Sequence, residues 1–566
     1  MSDKVAHIAA QVADRVKAEE EHLTDHELEE SGAVGPDDPR FVHAAIKNNE
    51  RGDGLMFCSL HRGTYLYNKI QGRWYSWAGH YWEPDIMGVV VEGVEAVALK
   101  YQQVTTAISE QIAEAEVELK KAQEEVDRAD RDDDAAAKHT AELRVAQLLD
   151  QIKRLKGDRG RLYKRADQLR AKARAEKCLW WAHCVPGRLA VRGDEFDKKP
   201  LLLPCPNGVI DLETARLHDG NPDDLLVRAI PIPYDPHAEA PDWIRFLMEI
   251  YEGDEDKVNF IRRYLGYCLT GLTIEQIILF FIGDGANGKG TLVELIHYLL
   301  GPLAWSINPE LILEQKNPRP TAGPSADIVS LYGRRLVIAS ETEKNRRIGA
   351  ANLKRFTGGD TLIGRSPHDK EETNFDPTHK MICVTNDLPL GLLADFSLRR
   401  RIRLITHRLR YVANVEVEQR IDPQNAQFFR KRNPDLPQLL RQQAPGILAD
   451  LVRACLEYQR YGLQPPQSIL DDAEEHRNSE DHLGRFLKEA CTRVDDDPDY
   501  RIKFKEFYQA FATWYKDEIS DKDRYMPSKI AVTKELEKKG YRKTQQSGQT
   551  WIYGVKTPEE DIFITR

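Results

Sequence analysis

The chain has little with which to build a zinc module, a membrane span or an export signal. Its eight cysteines include no pair separated by two residues. Cys178, His183 and Cys184 lie close together and Cys205 follows, but that spacing matches no common zinc module, and buried free thiols in a reducing compartment are the plainer reading. No apolar run approaches the ~20 residues of a membrane-crossing helix. The N-terminus, Met1-Ser2-Asp3-Lys4-Val5-Ala6-His7, lacks the apolar core of a signal peptide, so a cytoplasmic protein without a membrane partner is expected. Excess positive charge is missing too. The formal net charge is −10, so any contact with nucleic acid must come from local basic patches or a cation-lined pore.

What is present, 566 residues with 41% hydrophobic and 30% charged, is enough for roughly two to four domains. Residues 1–36 are a charged segment ending in Gly35-Pro36. Residues 37–103 read as α+β, with a β-meander from Phe57 to Trp82 and a helix from about Asp85 to Tyr101. Residues 104–177 are rich in Ala, Glu, Lys, Arg and Leu. There Ile108, Ile112, Ala115 and Leu119, then Leu143, Ala146, Leu149, Ile152 and Leu155, recur at helical spacing on either side of the acidic break Asp130–Asp134. This predicts a helical hairpin or short coiled coil, with a third helix after the interruption at Gly157 and Gly160. The basic residues Arg159, Arg161, Lys164, Arg165, Arg170, Lys172 and Arg174 fit a solvated face, or a DNA or subunit contact. Residues 178–270 are α+β again, with an Asn207-Gly208 turn and amphipathic helices at Trp243–Ile250 and Val258–Leu269.

Residues 271–410 carry the chemistry. Ile277-Ile278-Leu279-Phe280-Phe281-Ile282 is a strand-length apolar run, as for a strand buried on both faces. Gly283-Asp284-Gly285-Ala286-Asn287-Gly288-Lys289-Gly290-Thr291 follows, then the helical pattern Leu292–Leu300. Strand, glycine loop and helix form the context of a phosphate-binding loop. Glycines let backbone N–H groups converge on phosphate oxygens, the helix N-terminus favours anions, and Lys289 supplies positive charge. The residue after the lysine is ordinarily Ser or Thr, whose hydroxyl holds Mg²⁺. Here it is Gly290, which leaves Thr291 as the candidate. ATP and Mg²⁺ are the implied ligands.

Three further segments follow in order. Leu336–Ser340 is a second buried strand, and the acids after it, Glu341 with Glu343 as rival, are candidates to polarise water and, for Glu341, to hold Mg²⁺. Lys380–Thr385 is a third, ending in Asn386, either a γ-phosphate sensor or a plain turn residue. Arg399, Arg400 and Arg401 precede a fourth, and fit either an arginine finger reaching a neighbouring subunit, Arg400 first, or a basic surface patch.

In this order, Gly283–Thr291, Glu341, Lys354 with Gly358-Gly359-Asp360, Asn386 and the arginines resemble the superfamily 3 helicases. More closely, the chain resembles the helicase half of phage, plasmid and satellite primase-helicases and the C-terminal part of the poxvirus primase-helicase. Supporting phrases are Asn207–Leu212, Tyr264–Gly271, Ala339–Glu343, Lys354–Asp360 and Thr385–Pro389. The resemblance implies an AAA+-type core, a hexameric ring translocating on single-stranded or forked DNA, and a DNA-gripping hairpin in which Arg365, His368 and Lys370, with Lys354 nearby, face the pore. Nothing in residues 1–200 matches a primase, so a primase or polymerase is expected on another chain. Residues 104–177 stand as an insertion without a counterpart.

Residues 411–478 read as a helical lid and linker. Residues 479–566 read as a winged-helix-like domain, with Lys529, Lys534, Lys538, Lys539, Arg542 and Lys543 on the recognition helix and wing, or as a protein-docking version of it. The sequence therefore predicts an α/β P-loop ATPase core with an N-terminal α+β region, a helical insertion and a winged-helix-like end. Its expected activity is that of an ATP-dependent DNA helicase. A remodelling ATPase and an ATP-gated origin-binding scaffold are the rivals.

Overall fold

The structure is a computed structural model that describes residues 35–557, apart from 316–324, 341–345, 366, 368–371, 387, 390–391, 393–395, 495–496, 498–499, 519–525 and 547. The chain divides into two compact units, one of residues 35–198 with Gly220–Arg228, the other of Lys199–Asp219 with residues 229–557.

In the first unit the meander forms from Tyr65–Asn68, Arg73–Trp77 and Trp82–Pro84, but Phe57 lies in the helix Asn49–His61 rather than in a strand. A fourth strand, Ala190–Val191, joins the sheet parallel to Tyr65–Asn68, a long-range pairing that no local pattern announces. Leu55, Met56 and Phe57 pack with Cys178, Leu179 and Ala182 of the helix Lys172–Ala182. The helices approach closely at Gly54, where a Cβ would lie 2.5 Å from the Trp181 side chain.

The helical segment is a hairpin of Val94–Arg131 and Ala135–Leu169, turning at residues 132–134 within the acidic break. Asp134 caps the second helix by accepting from Ala136 and Ala137 N–H at 3.1 and 3.0 Å. The first helix begins ten residues before the expected insertion, and the second runs unbroken through Gly157 and Gly160. Ile108, Ile112, Ala115 and Ile152 are buried as the spacing predicts, whereas Leu143 and Leu149 are exposed.

The basic end of this segment is used inside the molecule. Asp53, fully buried, accepts from Arg174 at 2.7 and 2.9 Å, from Arg165 at 3.0 Å and from the Tyr101 hydroxyl at 3.0 Å. Arg170 reaches Glu95 and Lys177 reaches Glu50. Of the two readings of this cluster, the solvated face gives way at Arg165 and Arg174 to a clamp on Asp53 that ties the hairpin and helix Lys172–Ala182 to helix Asn49–His61.

The second unit is built on five parallel strands: β1 (Ile278–Ile282), β2 (Ala304–Ile307), β3 (Leu336–Ser340), β4 (Lys380–Thr385) and β5 (Ile402–Thr406). Their spatial order is β5-β1-β4-β3-β2. Every residue of β1 is buried, because helices cover both faces. Leu279 and Phe281 join one cluster with Leu292, Leu295 and Leu299, while Ile278 and Phe280 join another with Leu353 and Phe356. This mixed α/β unit with a parallel P-loop-like sheet is consistent with an AAA+-type core. The Asn207-Gly208 turn links Leu202–Cys205 to Gly208–Asp211 as expected.

The C-terminal part carries its own core of Phe486, Phe507, Phe511, Leu536 and Ile552. Its sheet runs Arg501–Lys503, Gln549–Tyr553, Lys543–Gln546. At the boundary between the lid region and this part stand two successive helices, Gln467–Glu480 and His482–Glu489. Asp481 separates them by capping the second, accepting from Gly484 N–H at 2.8 Å. Among the described residues no helix is long and apolar enough to cross a membrane.

Candidate nucleotide site

Parallel strands place their carboxyl ends on one edge, and here that edge gathers the chemistry. β1 runs into the glycine loop, which feeds the helix Lys289–Leu300. Gly283 sits at φ +141°, and a Cβ there would overlap the carbonyl oxygen of His407. Gly288, at φ +87°, would place a Cβ 2.7 Å from Ile250 Cγ2. Asn287, buried, donates to His407 O at 3.4 Å and accepts from Lys289 N–H at 3.3 Å. Ala286 is left-handed without being glycine (φ +58°), and Tyr411 N–H donates to its carbonyl at 2.7 Å. Asp284 pairs with Arg410.

Lys289 is 5% exposed. Its ammonium donates to the Gly283 carbonyl, to Thr385 O at 3.3 Å and to Asn386 Oδ1 at 3.3 Å. Burial pulls its pKa down, against a weaker opposing pull from Asp284. Registration explains the meeting: Thr385 lies opposite Ile282, so the residues that follow each strand come out side by side. The loop therefore fits a phosphate cradle. Positions where a Cβ would crowd the fold are glycine, and a Cβ at Gly285 or Gly290 would meet nothing within 4 Å. For Mg²⁺ the described donor is Thr291, half-buried in the first helical turn.

The other expected site residues fall into three groups. Glu341, Glu343, His368 and Lys370 lie outside the described residues, β3 ending just before the first two at Ser340. Arg365 stands at the end of an antiparallel pair, Leu362–Gly364 with Thr373–Phe375, so a hairpin exists where the resemblance puts one. The Arg365 backbone exchanges hydrogen bonds with Ser325 at 2.9 and 3.0 Å. Lys354 is half-buried on the helix Ala350–Thr357. Of the arginines, Arg400 is exposed, Arg399 half-buried and Arg401 buried. Arg401 donates to Thr357 Oγ1 at 3.2 Å, and burial lowers its pKa.

One contributor went unread in the sequence. His407 follows β5, its carbonyl meets the loop, and its ring lies between Tyr251 and Phe281 at 5.2 and 5.3 Å. Burial first, then the nearby Lys289 and Lys257 charges, hold its pKa down to about 3, so the ring is neutral. The rule that pointed to Asn386, the first residue after a parallel strand, also points to His407.

Residues 54–252 match the family model described as D5 N terminal like. Viral proteins described as helicases are similar over 58% of this chain: one from Acanthamoeba polyphaga mimivirus is 27% identical and one from Invertebrate iridescent virus 3 is 26% identical. A protein described as a primase, from African swine fever virus, is 25% identical over the same share. The matches cover 34%, 36% and 34% of those three proteins, so the chain spans about a third of their length. Among solved structures, an apo form of the NrS-1 C-terminal region is 15% identical with a TM-score of 0.36, covering 65% of this chain and 86% of that one. The chain is thus similar in part to the D5 N terminal like family and to viral proteins described as helicases and primases.

Proposed function

We propose that the chain is an ATP-hydrolysing DNA motor of superfamily 3 type, working as a hexameric ring on single-stranded DNA in the replication of a phage, plasmid or other mobile element. The carrying observation is the convergence of Lys289 on Gly283, Thr385 and Asn386 at the carboxyl edge of a parallel sheet. In this reading Lys289 neutralises phosphate charge and Asn386 orients the attacking water. Glu341, or Glu343, polarises that water, and Thr291 and Glu341 hold Mg²⁺. ATP, when bound, supplies the phosphoanhydride whose hydrolysis drives the cycle. Arg400 suits the finger, being exposed while Arg401 is spent on Thr357. Arg365, His368, Lys370 and Lys354 contact the strand. The C-terminal part acts as a winged-helix-like domain, and any primase or polymerase is a partner.

The test is displacement of a strand from a forked duplex, with Lys289→Ala as control. Displacement by the native chain, lost in Lys289→Ala together with ATP hydrolysis, is expected. Hydrolysis stimulated by single-stranded DNA without displacement would favour a remodelling ATPase. Tight DNA binding with negligible turnover would favour an ATP-gated origin-binding scaffold, and Gly290 is the observation that favours this second reading.

A further inference from the structure

The first unit has a cleft of about 450 Å³ at the turn between helix Lys172–Ala182 and strand Ala190–Val191, and none of its lining residues has a role in the function proposed above. It is lined by Lys69, Arg188, Arg192 and His183, against a single acid, Glu195. In a chain of net charge −10, three cations around one concavity run against the general trend.

The fold brings these cations together. Tyr67 and Asn68 pair in parallel with Ala190 and Val191, so Lys69 and Arg192, the next residues along, emerge at the same end of the sheet. Glu195 offsets one of these charges without pairing with any of their side chains. Its carboxylate is taken by the backbone N–H groups of Arg192 and Gly193, at 3.2 and 2.7 Å. Arg192 has only a loose, exposed ion pair with Asp194 at 3.8 Å, and the Arg188 side chain makes no hydrogen bond or ion pair among the described residues.

Lys69 Nζ lies 2.7 Å from His183 Nδ1. An ammonium can only donate, so Nδ1 accepts and the imidazole carries its proton on Nε2. The ring of His183 stacks on Tyr67 at 4.0 Å, 9° from parallel. Trp180, one turn earlier and 54% exposed, stands edge-on to it at 6.3 Å. An exposed indole beside a cation-lined cleft is the pairing that single-stranded nucleic acid uses, base on ring and phosphate on cation.

We infer that this cleft binds a phosphodiester of single-stranded nucleic acid, with Arg188, Arg192 and Lys69 on the phosphate and Trp180 under an adjacent base. It is a second strand-binding site, separate from the hairpin after Gly364, and it requires no ATP.

The test uses the full chain and a fluorescent oligothymidylate, with anisotropy measured across salt concentrations and without nucleotide. Arg188→Ala combined with Arg192→Ala is expected to weaken binding about tenfold or more at low salt. It should also reduce the slope of log K against log salt by up to about 0.7, the value for one phosphate contact on a single strand. Trp180→Ala is expected to cost roughly tenfold with the slope unchanged. Thermal melting and DNA-free ATP hydrolysis should match the native chain in both variants, and the slope change should persist in a Lys289→Ala background. That background separates failure of this site from failure of the motor reading. An unaltered slope in the double arginine variant overturns the proposal. Displacement of the oligonucleotide from Lys289→Ala protein by a mononucleotide at equal phosphate concentration overturns the assignment to a strand.

Discussion

Gly283→Ala is the sharpest probe of the nucleotide loop, because the structure sets its cost and supplies its control. An alanine at φ +141° occupies backbone space that L residues rarely enter, which costs about 1–3 kcal/mol. Its Cβ would also overlap the His407 carbonyl, a backbone atom already holding Asn287. Relieving such an overlap costs about 1–3 kcal/mol more. The sum, about 2–6 kcal/mol, falls on the loop conformation that presents Lys289. Expressed as affinity, it is at least about thirtyfold. Gly290→Ala is the matched control. A Cβ there meets nothing within 4 Å, and alanine in place of glycine at a helical position gains up to about 1 kcal/mol. Titration of a fluorescent ATP analogue, alongside thermal melting, should show Gly283→Ala weakened thirtyfold or more and Gly290→Ala within about threefold of native. Binding by Gly283→Ala within threefold of native, or an equal loss in Gly290→Ala, refutes the cradle geometry.

Three other outcomes follow. Asp53→Ala strips the shared carboxylate from Arg165, Arg174 and Tyr101, leaving buried donors unpaired. It should destabilise the protein by about 3–5 kcal/mol in denaturant unfolding, whereas Glu118→Ala, which breaks an exposed pair, should leave the unfolding midpoint where it is. Burial holds His379 down to about 4 and His407 to about 3, both below the ordinary 6.5. A depressed folded pKa means that their contribution is complete above pH 6.5 and is lost as pH falls through 4 and 3. His407→Phe should therefore flatten the acid limb of a melting-temperature profile. Arg400→Ala should lower ATP hydrolysis about 10³-fold or more with an unchanged melting temperature, whereas Arg401→Ala should lower the melting temperature because Thr357 loses its donor. Equal effects of the two on hydrolysis and melting would argue against Arg400 as the finger.

Four of the five core strands were legible because each is a short apolar run beside a distinctive motif, the signature of a parallel sheet buried on both faces; β2 was not, because Trp305 and Ser306 of this edge strand are exposed. The meander, the Asn207-Gly208 turn and the helical hairpin were legible for the same local reason. The misreadings are tertiary. Gly157 and Gly160 look like breaks, yet a helix already packed along its partner tolerates the ~1 kcal/mol each costs. Phe57 belongs to a helix because Leu55, Met56 and Phe57 are buried against helix Lys172–Ala182, more than a hundred residues on. Arg165 and Arg174 looked like a solvated face because Asp53, the acid they serve, lies in a distant segment.

Lys289 explains why strand ends, rather than any single motif, make this site. Its partners come from positions 283, 385 and 386, and all three are neutral oxygens. Among the described residues no carboxylate is bonded to it, and the nearest acid in the loop, Asp284, is engaged by Arg410. A desolvated ammonium without a counter-ion is a standing cost to the folded chain, and the lowered pKa is that cost in another form. Phosphate oxygens would supply the missing charge, so part of the affinity is stored in the free protein. Asn386 shares the same ammonium, so a phosphate that draws Lys289 away also releases the Asn386 amide oxygen. In the function proposed above, Lys289 and Asn386 are thus one hydrogen-bonded unit before any ligand arrives, and a phosphate on Lys289 bears directly on Asn386.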